Sequence, residues 1–507
     1  MPTLRRVKGR TLDAARLSQE GNAHLAAGRV PEALAAQQKA AALWPDSGAI
    51  QCNLGNALQA AGRMDEAAAA LRRAVQLEPQ IPEIHNNLGA LLVQKGQPDE
   101  AVASLERALR LRPGYVDATY NLGNALAALE RRDEAEAAFR RAAPQHPGAR
   151  RNLAVAANQR GNRLVAANRV GEALAAYREA LAADPADPDI RYNEALALLV
   201  SGDLAGGWTH YERRFECRGR KGPRAFAFPR WDGRAPLAGK AIFLFAEQGL
   251  GDTLQFARYL PLLAAQGAAV HLEAQPALHA LLRTSFPELR MLTGKGDPVP
   301  AADYHLPLLS VPGALGTTLA TIPAPPRYLR PPPERTRRWR GRLGAEARPR
   351  VGLVWSGAAG HQNDRNRSIA FGALARSLPT EGVRYYSLQK EIRAGDEEAV
   401  RAFAVDALGP ELADFADTAA AADEMDLIVS VDTSVAHLAA GLGRPTWILL
   451  PYSPDWRWLL DREDSPWYPS ARLLRQPEPN RWEPVLERVS RELRAFLGRW
   501  RERPGRA

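Results

Sequence analysis

The stretch NNLGALLVQKGQPDEAVASLERALRLRP, residues 86–113, holds the pattern that decides the fold of the first part of the chain. Within it, Gly89 is followed by Ala101, Ala108 and Pro113, and these residue types recur at steps of 34 residues. Small residues let two helices approach closely, and a proline ends the helix before it, so the period predicts a row of helical hairpins. The recurring positions are Gly21, Gly55, Gly89 and Gly123; Ala33, Ala67, Ala101 and Ala135; Ala40, Ala74, Ala108 and Ala142; and Pro45, Pro79, Pro113 and Pro147.

This spacing of glycine, alanine, alanine and proline resembles the tetratricopeptide repeat, and we expect an array of about six units over residues 11–218. Gly161 follows Gly123 after 38 residues instead of 34, which predicts a four-residue insertion between the fourth and fifth units. The sixth unit is degenerate, because Gly219 stands where the proline is expected. Terminal units of a solenoid are usually atypical, since one face meets something other than another repeat.

Composition narrows the class of protein. The 507 residues are 46% hydrophobic and 24% charged, as in an ordinary soluble protein, and are too many for one core. The N-terminus lacks the apolar segment of a signal peptide, and no run approaches the roughly 20 apolar residues of a membrane span. We therefore expect a cytoplasmic protein without an integral membrane segment.

Charge and cysteine usage exclude further classes. The net charge of +10 is spread along the chain and accompanies no nucleic-acid motif, so we expect no nucleic-acid partner. Cys52 and Cys217 lack metal-ligand spacing, which argues against a zinc site or a disulfide framework. We read them as packing residues.

From about residue 236 the pattern changes to alternating strands and helices. Short apolar runs predict buried parallel strands, of which the clearest lie at 241–246, 269–273, 351–355, 427–431 and 446–450. We predict two Rossmann-like domains, whose cleft would lie at the carboxyl ends of the strands. Their predicted bounds are 236–325 for the first, 326–349 for a proline-rich linker, 350–480 for the second and 481–500 for a closing helix.

The first candidate site follows the strand at 241–246. Gly249 and Gly251 permit a tight turn, and Asp252 stands at the start of the next helix, at the mouth of the cleft. Aspartate is also a favoured helix-capping residue, so a purely structural role is the alternative.

The second candidate site is the turn after the strand at 427–431. Asp432, Thr433 and Ser434 precede a helix, whose first N–H groups suit phosphate oxygens. His437, one turn further, offers another donor. In the alternative interpretation the three residues only cap the helix and His437 only packs.

The third candidate site is the loop after the first strand of the second domain. Ser356, Arg365 and Arg367 lie in a stretch rich in Gly, Asn and Arg, and arginines can neutralise a diphosphate through bidentate hydrogen bonds. Gln389 and Lys390 follow another strand end and could meet the donor base or sugar. A solvated loop and a solvated turn are the alternatives.

With these segments in this order, residues 236–500 resemble the GT-B glycosyltransferases of family nine, the ADP-heptose heptosyltransferase group. The whole chain resembles bacterial proteins that join tetratricopeptide repeats to such a domain, an architecture shared with the O-linked N-acetylglucosamine transferases. The phrases that carry the resemblance are Glu247–Asp252, Asn366–Ile369, Val431–Leu438, Pro454–Trp458 and Ser465–Pro469.

The resemblance implies an inverting, metal-independent transferase that takes a nucleotide-sugar as substrate and holds no cofactor. Asp252 matches the aspartate proposed as general base, while Arg367, Thr433, Ser434 and His437 would stabilise the leaving nucleoside diphosphate. The chain departs from the heptosyltransferases at Ser434, where they have glycine, and in the loop around Arg365 and Arg367, where they have Lys-Arg. These departures put heptose and a lipopolysaccharide acceptor in doubt.

Asn53, Asn87 and Asn121 stand 34 residues apart on the helix expected to line the inner face of the array. A column of side-chain amides can hydrogen-bond an extended peptide, as similar ladders do in the O-linked N-acetylglucosamine transferases. Alternatively, the asparagines only solvate that face.

Two functions remain open from the sequence. One is a glycosyltransferase whose array recruits a protein acceptor or partner. The other is a tetratricopeptide scaffold with a catalytically inactive transferase-like domain.

Overall fold

The computed structural model describes residues 2–360 and 363–501. These residues form two compact units. The first ends at Asn162 and also takes in Ala175–Ile190, and the second comprises Arg163–Leu174 and the chain from Arg191 onward. Within the described ranges, no helix is long and apolar enough to cross a membrane.

The N-terminal part is built from consecutive helical hairpins, as the 34-residue period predicts. Pro45, Pro79, Pro113 and Pro185 each follow the second helix of a hairpin and so end it. The helices are α1 (Pro2–Ala26), α2 (Val30–Leu43), α3 (Gly48–Ala60), α4 (Met64–Leu77), α5 (Pro82–Gln94), α6 (Pro98–Leu111), α7 (Val116–Ala128), α8 (Arg132–Ala142), α9 (Pro147–Ala166), α10 (Val170–Ala183), α11 (Pro188–Ser201) and α12 (Leu204–Tyr211).

Each repeat glycine faces the side chain that lies sixteen residues later on the second helix of the same hairpin. A Cβ atom added at Gly89, for example, would lie 2.4 Å from Cγ of Leu105, which is closer than real atoms approach. Glycine is therefore needed for the two helices to pack. The pairs are Gly21 with Gln37, Gly55 with Leu71, Gly89 with Leu105, Gly123 with Phe139, and Gly161 with Tyr177.

The fourth proline behaves differently from the prediction. Pro147 does not close a helix but begins α9, whereas α8 already ends at Ala142. Helix α9 is 20 residues long, compared with 13 for α7, so the predicted insertion is accommodated as a longer helix. Proline is tolerated in a first helical turn because its missing N–H would have no partner there.

The first α/β layer, which comprises the elements between residues 241 and 314, has a parallel four-stranded sheet in the order β3-β2-β1-β4. In register, Ile242 of β1 pairs with Val270 of β2 and Tyr304 of β4. The chain adds β2 and β3 on one side of β1 and β4 on the other, so the direction of the strand order reverses at β1. The elements are β1 (Ala241–Phe245), α13 (Leu250–Phe256), α14 (Leu260–Ala265), β2 (Ala269–Glu273), α15 (His279–Ser285), β3 (Met291–Thr293), β4 (Tyr304–Pro307) and α16 (Val311–Ala314).

The second α/β layer has a parallel six-stranded sheet in the order β10-β9-β8-β5-β6-β7. Its strands β5, β8 and β9 match the apolar runs predicted at 351–355, 427–431 and 446–450, whereas β7 and β10 were not predicted. The elements are α17 (Pro333–Leu343), β5 (Arg350–Val354), α18 (Asp364–Arg367), α19 (Phe371–Ala375), β6 (Arg384–Ser387), α20 (Glu397–Ala402), β7 (Asp406–Ala407), α21 (Phe415–Asp423), β8 (Leu427–Val431), α22 (Ser434–Gly441), β9 (Thr446–Leu450), β10 (Ala471–Arg475) and α23 (Glu483–Arg501).

The range 326–349, predicted as a linker, contains helix α17. Trp339 of this helix is fully buried, and its indole N–H donates to Asp417 of α21 at 3.0 Å. The linker is therefore not extended throughout: its second half packs on the second α/β layer. The proline-rich residues 322–332 have no helix or strand, as their composition predicts.

Candidate functional site

Asp252 lies in the first turn of α13, at the carboxyl end of the buried strand β1. Its Oδ2 accepts a hydrogen bond from the Gly249 N–H at 2.8 Å. This is half of a capping box, so the structural alternative raised for Asp252 is realised at one of its two oxygens.

The second oxygen of Asp252 accepts a hydrogen bond from Arg457, which is 205 residues further along the chain. Arg457 lies in a turn after β9, with only 8% of its side chain exposed. It also pairs with Asp455 at 2.8 Å and donates to Gln255 Oε1 at 2.7 Å. Burial alone would lower the pKa of Arg457, but the carboxylates of Asp455 and Asp252 hold it above its ordinary value.

Sequence reasoning did not single out Arg457. Trp456 and Trp458, which flank it, are buried, and the Trp456 ring lies 4.4 Å from the guanidinium carbon. The sequence does contain a pattern that predicts a buried arginine here: Arg457 lies between two tryptophans and two residues after Asp455. A buried cation needs both a carboxylate partner and apolar cover.

Helix α13 approaches the first turn of α22 at Gly251. A Cβ atom at this position would lie 2.9 Å from Cδ2 of His437 and 3.3 Å from the Cα of Ser434. The structure therefore brings the predicted Gly249–Asp252 turn next to the predicted Asp432–Ser434 turn. Gly251 is required for their close approach, which is a packing role beyond the tight turn that the sequence suggested.

Thr433 is the N-cap residue of α22, yet its side chain does not cap the helix. Its hydroxyl lies 3.3 Å from that of Ser430 instead. The first N–H groups of a helix have no intrahelical acceptor, so a turn without a side-chain cap can offer them to an anion. Capping by these side chains, which was the structural alternative, is not what the structure shows at Thr433.

His437 is buried in the first turn of α22. Its Nδ1 lies 2.8 Å from the Tyr468 hydroxyl, and its ring stacks on Trp458 with centroids 5.1 Å apart. Burial, together with the positive charge of Arg457, places the pKa of His437 well below its ordinary value. The imidazole is therefore neutral at pH 7 and can act there as a hydrogen-bond partner but not as a cation.

Burial affects Asp432 in the opposite direction from His437, because it raises the pKa of this carboxyl group. Burial raises its pKa to about 6, and the negative charge of Asp455 adds to the effect. Its carbonyl oxygen accepts a hydrogen bond from Nη1 of Arg367 at 2.9 Å. The aspartate side chain is thus an acid that can hold a proton in mildly acidic solution.

Arg367 and Arg365 share the short helix α18 but not the same surroundings. Nε of Arg367 is buried and has no hydrogen-bond partner in the described part of the chain. A Cβ at Gly357 would lie 2.5 Å from Nη2 of Arg367, so the β5 loop closes over this guanidinium. Arg365 is exposed. The structure therefore brings Arg367, not Arg365, to the Asp432–Ser434 turn; residues 361 and 362 of the same loop lie outside the described residues.

Gln389 is only 5% exposed and braces the loop after β5. Its Oε1 accepts from the N–H groups of Trp355 and Ser356 at 2.7 and 2.8 Å. Its Nε2 donates to Ser356 Oγ at 3.0 Å and to the Glu391 carbonyl at 3.1 Å. The solvated turn proposed as an alternative does not apply to this buried amide, whose donors and acceptor are all engaged.

Lys390 is exposed but tethered. Its ammonium group donates to the carbonyl oxygens of Gly409, at 3.3 Å, and Leu412. The donor-contacting roles suggested for Ser356, Gln389 and Lys390 stay predictions, and the structure adds a bracing role for each.

The asparagine column of the array joins neighbouring repeats. Asn53 donates to Ser18 Oγ at 3.0 Å and Asn121 donates to Asn86 Oδ1 at 2.9 Å. Asn87 donates to Cys52 Sγ and Asn56 Oδ1 at 3.4 and 3.3 Å. In each case the partner lies on the first helix of the preceding hairpin, so these amide donors are part of the contact between repeats. Peptide binding by the three asparagines stays a prediction.

Comparison with known families identifies the repeats. A family model described as "Tetratricopeptide repeat" matches residues 18–82 and 86–150. A second, described as "TPR repeat", matches residues 161–202. The N-terminal helical array is therefore a tetratricopeptide array, and such repeats indicate a protein-interaction scaffold.

Among curated proteins, the chain is similar to "Protein FlbA" of Caulobacter vibrioides (strain ATCC 19089 / CIP 103742 / CB 15). The two are 30% identical over 351 residues, which is 63% of this chain and 58% of FlbA. The match thus spans less than two thirds of the relative's length.

Two solved structures of repeat proteins are also similar to part of the chain. One is YrrB, described as "a TPR protein with an unusual peptide-binding site", with 24% identity, 36% of this chain and 92% of that chain covered, and a TM-score of 0.30. The other is a thermophilic TPR protein, TTC0263 from Thermus thermophilus, with 26% identity, 37% and 99% covered, and a TM-score of 0.27.

Proposed function

We propose that this chain is a GT-B glycosyltransferase that moves a sugar from a nucleotide-diphosphate donor to an acceptor hydroxyl. The observation that carries the proposal is the contact between two strand-to-helix turns from different α/β layers. Gly251 brings the Asp252 turn against Ser434 and His437, and Arg367 binds the carbonyl of Asp432. A carboxylate and an anion-binding turn thus face the same place, as transfer from an anionic leaving group requires.

In the proposed reaction, the acceptor oxygen attacks the anomeric carbon as the bond from that carbon to the diphosphate oxygen breaks. Asp252 would take the acceptor proton as general base, and the configuration of the sugar would invert. Both Asp252 oxygens already accept one hydrogen bond, from Gly249 and Arg457. A carboxylate oxygen has two lone pairs, so each keeps one position for an acceptor hydroxyl.

The leaving nucleoside diphosphate would be held by protein groups alone. Arg367 supplies the positive charge beside the Asp432–Ser434 turn, where it binds the carbonyl of Asp432. The first N–H groups of α22, with the hydroxyls of Thr433 and Ser434, would complete the anion site. His437, being neutral, would contribute a hydrogen bond rather than charge.

The array would recruit a protein acceptor or partner to this site. Its repeats indicate a protein-interaction scaffold. The inter-repeat bonds of Asn53, Asn87 and Asn121 use amide donors, so peptide recognition would rely on their oxygens and on neighbouring side chains.

The second candidate function is a scaffold with an inactive transferase-like domain. The observation that favours it is the engagement of both Asp252 oxygens by Gly249 and Arg457, since each of these bonds occupies an oxygen that a general base would turn toward the acceptor hydroxyl.

Nucleotide-dependent thermal shift and turnover separate the two functions. We expect ADP, UDP or GDP to raise the melting temperature, because a ligand that binds only the folded state stabilises it. Asp252→Ala should keep this shift and lose turnover by at least about a hundredfold, the usual contribution of a general base. Arg367→Ala should lose the shift.

Arg376→Ala is the matched control, because Arg376 is exposed on the same α/β layer. It should behave as the parent protein does. Turnover by Asp252→Ala equal to the parent's would exclude Asp252 as base, and no shift with any nucleotide in the parent would favour the scaffold.

A further inference from the structure

A cavity of about 550 Å³ lies at the carboxyl edge of the first parallel sheet, beside the Asp252 turn. Residues 245–248 line it from the end of β1 and the turn that follows, and Lys295 lines it from the loop after β3. The rest of the wall comes from residues 214–224, the segment that follows α12. This size is within the usual range for small-molecule sites, and the carboxyl edge of a parallel sheet is where ligands bind in such folds.

Glu247 is the buried acid of this cavity, with 9% of its side chain exposed. Its Oε1 accepts from Nε and Nη2 of Arg214 at 3.0 and 2.7 Å. Its Oε2 is buried and has no hydrogen-bond partner among the described residues. Burial raises the pKa of Glu247 above its ordinary value, although Arg214 acts in the other direction.

An unpartnered buried oxygen is costly, and such groups are rare in folded proteins. A ligand hydroxyl in the cavity would satisfy it. The same carboxyl therefore indicates a hydroxylated ligand rather than a simple ion.

Some of the cations that line the cavity contact other side chains of the protein, and others have no such partner among the residues that the structure describes. Arg214 and Arg224 are neutralised: the first pairs with Glu247 and Glu212, and the second pairs with Glu273 at 2.5 Å. Arg220, which also lines the cavity, lies over the Tyr192 ring, 4.5 Å from the ring centroid. The two remaining cations, Lys221 and Lys295, line the cavity and are exposed. Neither lysine has an ion-pair or hydrogen-bond partner in residues 2–360 and 363–501.

We infer that this cavity is the acceptor site of the proposed transferase and takes a hydroxylated anion, namely a sugar acid or a sugar phosphate. The ligand's hydroxyl donates to Oε2 of Glu247, and its carboxylate or phosphate group meets Lys221 and Lys295. The inference rests on the proposed function only in calling the ligand an acceptor. Gln248 lines the cavity and precedes Gly249, so the bound hydroxylated anion lies next to the Asp252 turn.

Calorimetric titration of the full chain, without any nucleotide, tests the inference. The probes are glucose 6-phosphate, glucuronate, neutral glucose and inorganic phosphate. We expect the two sugar anions to bind at least about tenfold more tightly than glucose or phosphate, because each uses both a charge-assisted contact and the Glu247 hydrogen bond. Binding of neither sugar anion up to about 20 mM, the weak end of specific affinities, would overturn the inference.

Two variants assign the contacts. The double variant Lys221→Ala, Lys295→Ala should weaken the sugar anions about tenfold and leave glucose unchanged, whereas Lys39→Ala, at an exposed lysine on α2, should change neither. Glu247→Gln should weaken glucose 6-phosphate but not inorganic phosphate. An equal effect on both ligands would mean that Glu247 only supports the fold, and would remove it from the site.

These outcomes are independent of the donor site. A chain that binds sugar anions but no nucleotide would leave the cavity in place and count against the transferase. A chain that binds nucleotide but no sugar anion would keep the transferase proposal and exclude this acceptor class.

Discussion

The two turns that meet at Gly251 have the same position in the fold but differ in the groups that occupy the helix start. Both follow a buried parallel strand and begin a helix. In the first, Asp252 binds the Gly249 N–H and also pairs with Arg457, so side chains of the protein itself occupy the helix start. In the second, Thr433 leaves α22 without a side-chain cap, and Arg367 lies at the carbonyl of Asp432.

This difference shows how two equivalent strand-to-helix turns can place different chemical groups, a carboxylate and a hydroxyl, at neighbouring helix starts. A carboxylate at a helix start neutralises the positive end of the dipole, whereas a hydroxyl residue leaves that end able to attract an anion. In the first turn a carboxylate of the protein therefore occupies the helix start, whereas at Thr433 no side chain caps the helix start.

The largest expected effect comes from removing the cation that fixes the first turn. Arg457→Ala would leave Asp252 and Asp455 without their shared partner, and breaking a buried ion pair in this way costs about 3–5 kcal/mol of unfolding free energy. Urea unfolding measures it, with Arg376→Ala as the exposed control. A loss below about 1 kcal/mol, typical of a surface pair, would show that the first turn is not held by Arg457.

A smaller effect is expected from forcing the two turns apart. Gly251→Ala places a methyl group against His437 and Ser434, and overpacking of this kind costs about 1–3 kcal/mol. Gly372→Ala, in α19, is the matched control, because the nearest atom to its new methyl lies 3.9 Å away. That variant should gain up to about 1 kcal/mol from helix propensity. Thermal unfolding of both compares the signs, and stabilisation by Gly251→Ala would contradict the close approach.

The smallest expected effect is on the titration of the second turn. The pKa of Asp432, about 6, exceeds the unfolded value of about 3.9. The folded state therefore binds this proton more tightly, and the resulting stabilisation is fully present below about pH 4 and is lost as the pH rises through about 6.

Asp455→Asn removes the like charge that helps to raise this pKa. It should lower the pKa of Asp432 by about half a pH unit, or about 0.7 kcal/mol, since Asp455 is partly exposed and screened. Carboxyl carbon NMR titration measures the change. A pKa that rises in the variant would show that Asp455 acts mainly through Arg457.

The sequence predicted the array and most strands because each has a local signature. A 34-residue period fixes several residue types at once, and the family models confirm it over residues 18–82, 86–150 and 161–202. Buried parallel strands read as apolar runs, which is why β1, β2, β8 and β9 were found. Strand β7 has two residues, and β10 is an edge strand with Arg472 and Arg475, so neither has an apolar run to detect.

The candidate site was predictable only where its residues are consecutive. The turns at Gly249–Asp252 and Asp432–Ser434 carry strand, turn and cap signals, and the structure brings them together. The Asp252–Arg457 pair and the Lys221, Lys295 and Glu247 cavity join residues far apart in the chain, and no periodicity links such positions. The GT-B assignment and the donor and base roles remain proposals.

The glycine contacts of the repeats have a consequence for how such an array can change in length. Each glycine and the side chain it admits, from Gln37 at one end to Tyr177 at the other, belong to the same 34-residue or 38-residue module. A whole module can therefore be duplicated or deleted with its internal fit intact. The asparagine hydrogen bonds instead join neighbouring modules, as from Asn121 to Asn86, 35 residues earlier. A newly inserted module must therefore match its neighbours at these contacts between repeats.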